Sequence, residues 1–158
     1  MSLGRGISRT RGGGYSVRLP RNEREVLASL PGQLREAFVS NEPSLYRLFP
    51  PAHRDDPLAN AGYHELVGES LVEGRLAALA ELERTAFAER LTEQELGAWL
   101  GAIESLRLTL GTQLDVDDRT YQYGLDPDDP EAPRHALYHY LTWLQEEAVA
   151  ALAHGLPG

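Results

Sequence analysis

Apolar side chains recur every three or four residues along most of the chain, which is the pattern of helices that bury one face. The first such stripe follows Asn22, and Glu25 completes the sequence of a capping box there. We expect Pro31 to break or kink this helix near residues 30–32, because proline removes one helical hydrogen bond and crowds the preceding turn. The stripe consists of Val26, Leu27, Leu30, Leu34, Ala37 and Phe38.

The middle of the chain holds two further helix starts. Asp56–Pro57 combines a capping acceptor with a proline at the first helical position, and Ser70 with Glu73 has the sequence of a second capping box. Leucines at helical spacing follow. The pattern fits one helix over residues 57–88 as well as two helices that divide near Gly68.

Thr92 and Glu95 form the most complete capping box in the sequence, and Leu91 and Leu96 supply the hydrophobic staple that often accompanies one. An apolar stripe continues through the helix that follows. A last stripe, which comes after an acidic connection with three prolines, predicts a helix over roughly residues 134–153.

The N-terminus has a different character. Residues 1–14 are rich in glycine and arginine, and the glycines at 12–14 are typical of a turn. Residues 15–19 alternate between apolar and polar, which favours a strand. Residues 7–10 are placed to pair with that strand as a hairpin. The alternative is a disordered arm, since terminal segments are often poorly ordered.

Together these elements predict a mainly α fold, namely a single-domain bundle of four or five helices that carries either the N-terminal β-hairpin or the arm. The 158 residues, of which 42% are hydrophobic, suit one domain with its own core. We divide the chain into a Gly/Arg-rich segment over residues 1–14 and a single helical domain over residues 15–154.

Charge is unevenly distributed along the chain. The net charge is −9 and all 15 basic residues are arginine. Residues 1–24 hold six arginines and one glutamate, a net charge of +5, so the remainder carries −14. The longest apolar runs are far below the ~20 residues of a membrane span, and no apolar stretch of the kind found in a secretory signal follows the first arginines. We therefore expect a cytoplasmic protein with no membrane partner.

The absence of cysteine excludes disulfides, thiolate metal sites and cysteine nucleophiles. No phosphate loop, nucleophile elbow or dinucleotide fingerprint occurs. His135 and His139 are spaced to share one helical face, but they lack the glutamate of the zinc-protease motif. The acidic residues from Asp115 to Glu131 do not match a calcium loop, which needs a glycine at its sixth position. We expect no metal and no cofactor.

Arg107 is an unusual residue because it falls on the apolar face of its helix, between Ile103 and Leu110. A guanidinium there is costly unless its donors are paired. We interpret Arg107 as a structural residue bound to a carboxylate of another helix. The alternative is a site for an anion or a partner.

Aromatic residues gather on the predicted last helix. Tyr138, Tyr140 and Trp143 are candidates for a partner surface, since such residues are enriched at protein interfaces, although aromatic residues at helical spacing usually lie in the core. A surface of this kind would also suit a homodimer. The basic N-terminal segment offers a second kind of contact: Arg5, Arg9, Arg11 and Arg18 are candidates for binding nucleic acid.

Three stretches resemble a known family. They are residues 47–57 (RLFPPAHRDDP), 99–112 (WLGAIESLRLTLGT) and 140–146 (YLTWLQE). In this order and spacing they resemble a small actinobacterial family of domains of unknown function, typified by AosR-like oxidative-stress transcriptional regulators. The resemblance extends from Tyr15 to Leu152. His53 stands where the family often shows tyrosine.

The resemblance implies transcriptional control through partner proteins under oxidative stress, in a family whose genes commonly lie beside that of the ClpS adaptor. Because this chain has no cysteine, the implied role does not extend to a disulfide switch. We expect a non-enzymatic regulatory module that acts through protein–protein contacts. Direct DNA binding through the N-terminal arginines is the first alternative, and an uncharacterised enzyme is the second.

Overall fold

The computed structural model describes residues 4–40, 73–117, 119–121, 124 and 126–154. The motif at Asp56–Pro57, the division considered near Gly68, His53 and Ser70 of the second capping box lie outside these residues. Within them the chain forms three short strands and four helices. The prediction of a mainly helical fold is confirmed.

The N-terminal residues form a β-hairpin, as predicted. Strand β1 covers Gly6–Arg9 and pairs antiparallel with strand β2, Tyr15–Arg18. Gly13 and Gly14 adopt positive φ angles of 85° and 84° in the connecting turn, a conformation that glycine reaches without steric cost. The alternative of a disordered arm is wrong for the described part of this segment.

A third strand, which the sequence did not indicate, completes the sheet. Strand β3 has only two residues, Arg90–Leu91, and pairs antiparallel with β2, so the strand order is β1-β2-β3. Two residues are too few to show an alternating pattern. One sheet face lies against the core through Tyr15, Val17 and Leu91, which are all buried.

Helix α1 covers Arg21–Ser40 and runs without interruption through Pro31, so the predicted break is wrong. Pro31 is fully buried, and the packing of its ring offsets the missing hydrogen bond. The helix begins one residue earlier than expected. Asn22 therefore lies inside it, and the Glu25 carboxylate accepts from the Arg21 guanidinium at 3.2 Å instead of forming the predicted capping box.

Three more helices follow. Helix α2 is described over residues 73–85, α3 covers Glu93–Gln113 and α4 covers Ala132–Ala153. The capping box of α3 is confirmed. Thr92 Oγ1 accepts from the backbone N–H of Glu95 at 3.1 Å, and Glu95 Oε1 accepts from that of Thr92 at 2.8 Å. The predicted bounds of α4 are also close to the observed ones.

The core lies where α3 meets the other helices. Trp99 of α3 is fully buried, and its indole N–H donates to Thr85 Oγ1 of α2 at 2.6 Å. Helix α4 contributes one buried face, and the hairpin packs against the same helix. This arrangement places strand β1 beside α4. The buried residues of that face are Leu141, Leu144, Ala148 and Ala151.

A buried arginine joins the sheet to the helices. Arg24 of α1 is only 8% exposed, and its guanidinium donates to four backbone carbonyls. Two belong to the chain before α1, at Val17 (2.9 Å) and Leu19 (3.0 Å). The other two follow α2, at Ala86 (3.1 Å) and Ala88 (2.7 Å). Arg24 thereby holds the N-terminal end of α1 against the C-terminal end of α2.

Candidate interaction surface

The three aromatic residues proposed as a partner surface are all half-buried on α4, but they do not form one patch. Tyr140 and Trp143 lie together, with their ring centroids 5.7 Å apart. Tyr138 stacks instead with Tyr121 at 6.0 Å. Tyr138 and Tyr140 are two residues apart, so an α-helix directs them to different sides. Only Tyr140 and Trp143 can contribute to a common contact.

Arg5 covers this aromatic pair. The centre of its guanidinium lies 4.0 Å from the centroid of the Trp143 ring and 5.6 Å from that of Tyr140. Its Nε also donates to both carboxylate oxygens of Glu23 on α1, at 3.0 and 2.9 Å. We call these four residues, Arg5, Glu23, Tyr140 and Trp143, the Arg5 cluster. It joins the N-terminus to two helices.

The phenol of Tyr140 is a buried polar group of the Arg5 cluster. Its oxygen is shielded from solvent, and it has no hydrogen-bond partner of good geometry among the described residues. Burial, followed by the neighbouring Glu23 carboxylate, raises the pKa of Tyr140 above its usual value. Tyr140 therefore stays neutral at physiological pH, and the charges of the cluster are those of Arg5 and Glu23.

Arg107 lies half-buried between α3 and α4. Its Nε donates to Thr142 Oγ1 at 2.8 Å, and its guanidinium lies 5.0 Å from the centroid of the Tyr138 ring. Within the described ranges, its side chain forms no ion pair with a carboxylate. A hydroxyl and an aromatic face are thus the observed partners of Arg107, where the sequence suggested a carboxylate.

His135 and His139 both contact Tyr121, which lies in the connection before α4. The Tyr121 hydroxyl and His135 Nδ1 share a hydrogen bond of 2.8 Å, and the rings of Tyr121 and His139 lie 4.1 Å apart. Burial raises the pKa of Tyr121. In the part of the chain that the structure describes, no group of three or more His, Asp or Glu residues could hold a metal ion.

The four arginines proposed for nucleic-acid contact differ in their surroundings. Arg5 belongs to the Arg5 cluster. Arg18 donates to the Gly4 carbonyl at 2.6 Å and to Ser8 Oγ at 2.7 Å. Arg9 and Arg11 are exposed near the hairpin turn. The structure therefore places two of the four in contacts within the chain: Arg5 pairs with a carboxylate, and Arg18 donates to two neutral oxygens.

Sequence reasoning missed two residues that position this surface. Arg24 contributed only to the count of N-terminal arginines in the sequence. Its spacing relative to the buried Leu27 and Pro31, which places it on the inner face of α1, was the signal that could have found it. Glu147 of α4 accepts from the backbone N–H of Ile7 at 3.2 Å and so holds the hairpin against the helix. No local pattern reveals Glu147, because its partner lies 140 residues away.

Three large apolar side chains of the described residues are exposed to solvent, each on a different part of the fold. They are Val26 on α1, Phe87 after α2 and Val149 on α4, which are 40%, 52% and 49% exposed. Singly exposed apolar residues are common on protein surfaces. No helix among the described residues is long and apolar enough to cross a membrane.

Comparison with known proteins gives one family match. The model of a family described as a domain of unknown function, DUF2017, matches residues 4–152. The oxidative stress regulator AosR of Mycobacterium tuberculosis is 31% identical over 128 residues, which cover 70% of this chain and 58% of that protein. A Mycobacterium leprae protein, whose name also contains oxidative stress regulator AosR, is 31% identical over 150 residues, which cover 84% of this chain and 68% of that protein.

The matched region thus spans 58% of the length of the Mycobacterium tuberculosis regulator, and the same share of its Mycobacterium bovis counterpart. No solved structure gives a significant match to the chain.

Proposed function

We propose that this chain, which belongs to the DUF2017 family, is a regulatory module of an oxidative-stress response and acts through contact with a protein partner. The family match over residues 4–152 confirms the resemblance carried by residues 47–57, 99–112 and 140–146. The names of the relatives are those of regulators, and their similarity to this chain supports a regulatory role.

The observation that carries the proposal is the 31% identity over 150 residues to a protein named as an oxidative stress regulator. The similarity covers 84% of this chain, and the family match over residues 4–152 includes the hairpin as well as the helices.

The surface of the chain favours a protein partner over DNA. The net charge of −9 repels nucleic acid, and two of the four candidate arginines, Arg5 and Arg18, are held in internal contacts. Val149 is an exposed apolar side chain of α4, the helix that receives the hairpin, and the half-buried rings of Tyr140 and Trp143 lie on other sides of that helix. We propose that a partner makes contact at Val149. We propose that this contact takes place in the cytoplasm, and a second copy of the chain is one partner that it would suit.

The experiment measures transcripts in strains with and without the gene after exposure to hydrogen peroxide. In a strain that lacks the gene, we expect the transcripts induced by hydrogen peroxide to change, and the native chain supplied in trans to restore them. A chain with Val149→Glu, which places a charge on the exposed apolar position of α4, should restore them poorly. Gln94→Glu is the control, because it adds the same charge at an exposed position of α3 instead of α4.

Two results would contradict the proposal. An unchanged transcript response in the strain without the gene would remove the regulatory role. A gel shift of DNA by the purified chain alone, with affinity that falls steeply as salt rises, would instead support direct binding through the N-terminal arginines. Thermal melting of the two variants shows whether both are folded.

A further inference from the structure

We propose that Glu23, Tyr140 and Trp143 form a binding site for a guanidinium group, that Arg5 occupies this site in cis, and that an arginine side chain of a partner displaces Arg5. The displacement of Arg5 by a partner rests on the proposed function, whereas the guanidinium site itself does not. The sequence suggested Tyr140 and Trp143 as a partner surface and Arg5 as a nucleic-acid contact. The structure instead places the guanidinium of Arg5 against the rings of Tyr140 and Trp143.

The site has the two components that recognise a cation of this shape. Trp143 and Tyr140 present aromatic rings within 4.0 and 5.6 Å of the guanidinium centre, which is the range of cation–π attraction. Glu23 supplies a carboxylate at 2.9 Å from Nε. A planar guanidinium can stack on a ring and donate to a carboxylate at the same time, which a compact ammonium does less well. The chemistry therefore selects arginine over lysine.

Among the described residues, the ion pair of Glu23 is with Arg5. Arg24 is the next residue on α1, but its guanidinium is directed to the carbonyls of Val17, Leu19, Ala86 and Ala88. Tyr140 stays neutral, because burial disfavours its ionised form. Displacement of Arg5 would leave a half-buried carboxylate beside two aromatic rings, and an incoming guanidinium would restore its pairing.

Arg5 is placed to leave the site without disruption of the fold. It precedes β1, so none of its contacts belongs to the strand ladder. Its side chain is 46% exposed, whereas that of Glu23 is 18% exposed. An exposed ion pair contributes little to stability, and the main advantage of Arg5 is its high effective concentration as part of the same chain. A partner that also makes contacts elsewhere could overcome that advantage.

The test uses the full chain with Arg5→Ala and the probe N-acetyl-arginine amide. We expect Arg5→Ala to leave the far-UV circular dichroism unchanged and to make Trp143 more accessible to acrylamide, while the fully buried Trp99 gives a constant background. The probe should restore the protection of Trp143. Its affinity for Arg5→Ala should exceed that for the native chain at least about tenfold, since the native site is occupied.

Controls separate the site from general effects of charge. Arg11→Ala removes an exposed arginine of the hairpin turn and should leave probe binding as in the native chain. Glu23→Gln in the Arg5→Ala background should weaken binding, because the neutral amide pairs less strongly with a cation. N-acetyl-lysine amide should bind more weakly than the arginine probe, and N-acetyl-norleucine amide should not bind.

The outcomes are decisive in either direction. If folded Arg5→Ala does not bind the arginine probe, or binds it equally well with Glu23→Gln present, the site does not exist. If Arg5→Ala fails to fold, Arg5→Gln retains much of the side chain and permits the same titration. Probe binding by the purified Arg5→Ala chain, together with an unchanged transcript response in the strain without the gene, would leave the site in place and overturn only the proposed regulatory role.

Discussion

The carboxylate of Glu147 on α4 accepts a hydrogen bond from the backbone N–H of Ile7 in β1, at 3.2 Å. Strand β1 is the last strand of the sheet on this side, and an unpaired edge is a template for association with other chains. The side chain of Glu147 thus takes the position that another strand would occupy. Gly6 permits this approach, because a Cβ there would clash with Glu147 Oε1.

Replacement of Glu147 tests this role. We expect Glu147→Ala to lower the free energy of unfolding by about 1 kcal/mol, the usual contribution of one such hydrogen bond, and to promote self-association through the uncovered edge. Glu147→Gln retains an acceptor and should remain closer to the native chain. Urea unfolding and sedimentation velocity measure the two effects. Glu146→Ala is the matched control, since Glu146 is exposed on the same helix, and equal losses in both variants would refute the role of Glu147.

Arg24 should be the arginine whose loss the fold tolerates least. Arg24→Met keeps most of the side-chain volume but leaves four buried or half-buried carbonyls without their donor. We expect a loss of at least about 3 kcal/mol in the free energy of unfolding, because hydrogen bonds from a charged donor are among the stronger ones. Urea unfolding measures this loss.

Arg21→Met is the control for Arg24, because Arg21 is an exposed residue of the same helical turn and its ion pair among the described residues is the exposed one with Glu25. Its loss should change the free energy of unfolding by less than about 0.5 kcal/mol. Similar values for the two variants would show that the carbonyl contacts of Arg24 do not hold the sheet to the helices.

The contact between Trp99 and Thr85 gives a third prediction. Thr85→Val preserves the shape of the side chain but leaves the buried indole N–H without its acceptor at 2.6 Å. The expected loss in the free energy of unfolding is about 1–3 kcal/mol. Thr112→Val is a matched control, since Thr112 donates only to the Leu108 carbonyl of its own helix. If Thr85→Val costs no more than Thr112→Val, the indole hydrogen bond does not stabilise the fold.

Glu95 should contribute to the acid sensitivity of the protein. The backbone N–H of Thr92, then the guanidinium of Arg84, lower the pKa of Glu95 in the folded chain. A depressed folded pKa stabilises the protein above the pKa of the unfolded chain, and this contribution is lost as pH falls through the folded pKa. Glu95→Gln should therefore lower the melting temperature at pH 7 and flatten its decrease below about pH 4.3.

Thermal melting between pH 7 and pH 2.5 measures the contribution of Glu95. Glu93→Gln is the control, because Glu93 is an exposed residue of the same first helical turn. Its melting curve should keep the native slope at acid pH. A native slope in Glu95→Gln as well would show that the charge of Glu95 is not linked to folding.

Local patterns in the sequence determined several elements. The Thr92 capping box, the glycine turn of the hairpin and the bounds of α4 all depend on residues within a few positions of one another. Three motifs also identified the family, and the match over residues 4–152 confirms it. For the capping box, the turn and the last helix, the sequence pattern and the structure that it specifies occupy the same short segment.

The tertiary structure decided the rest. Pro31 stays inside a continuous helix because it is fully buried, and that burial depends on elements elsewhere in the chain. Three contacts join residues that lie far apart in the sequence, so the periodic pattern of apolar residues does not predict them. They are Arg107 with Thr142, Arg5 with Trp143, and Glu147 with Ile7. A hydrophobic pattern specifies which face of a helix is inside, but the partner of a polar group is selected only when distant elements pack, because hydrogen bonds and cation–π contacts require ångström proximity.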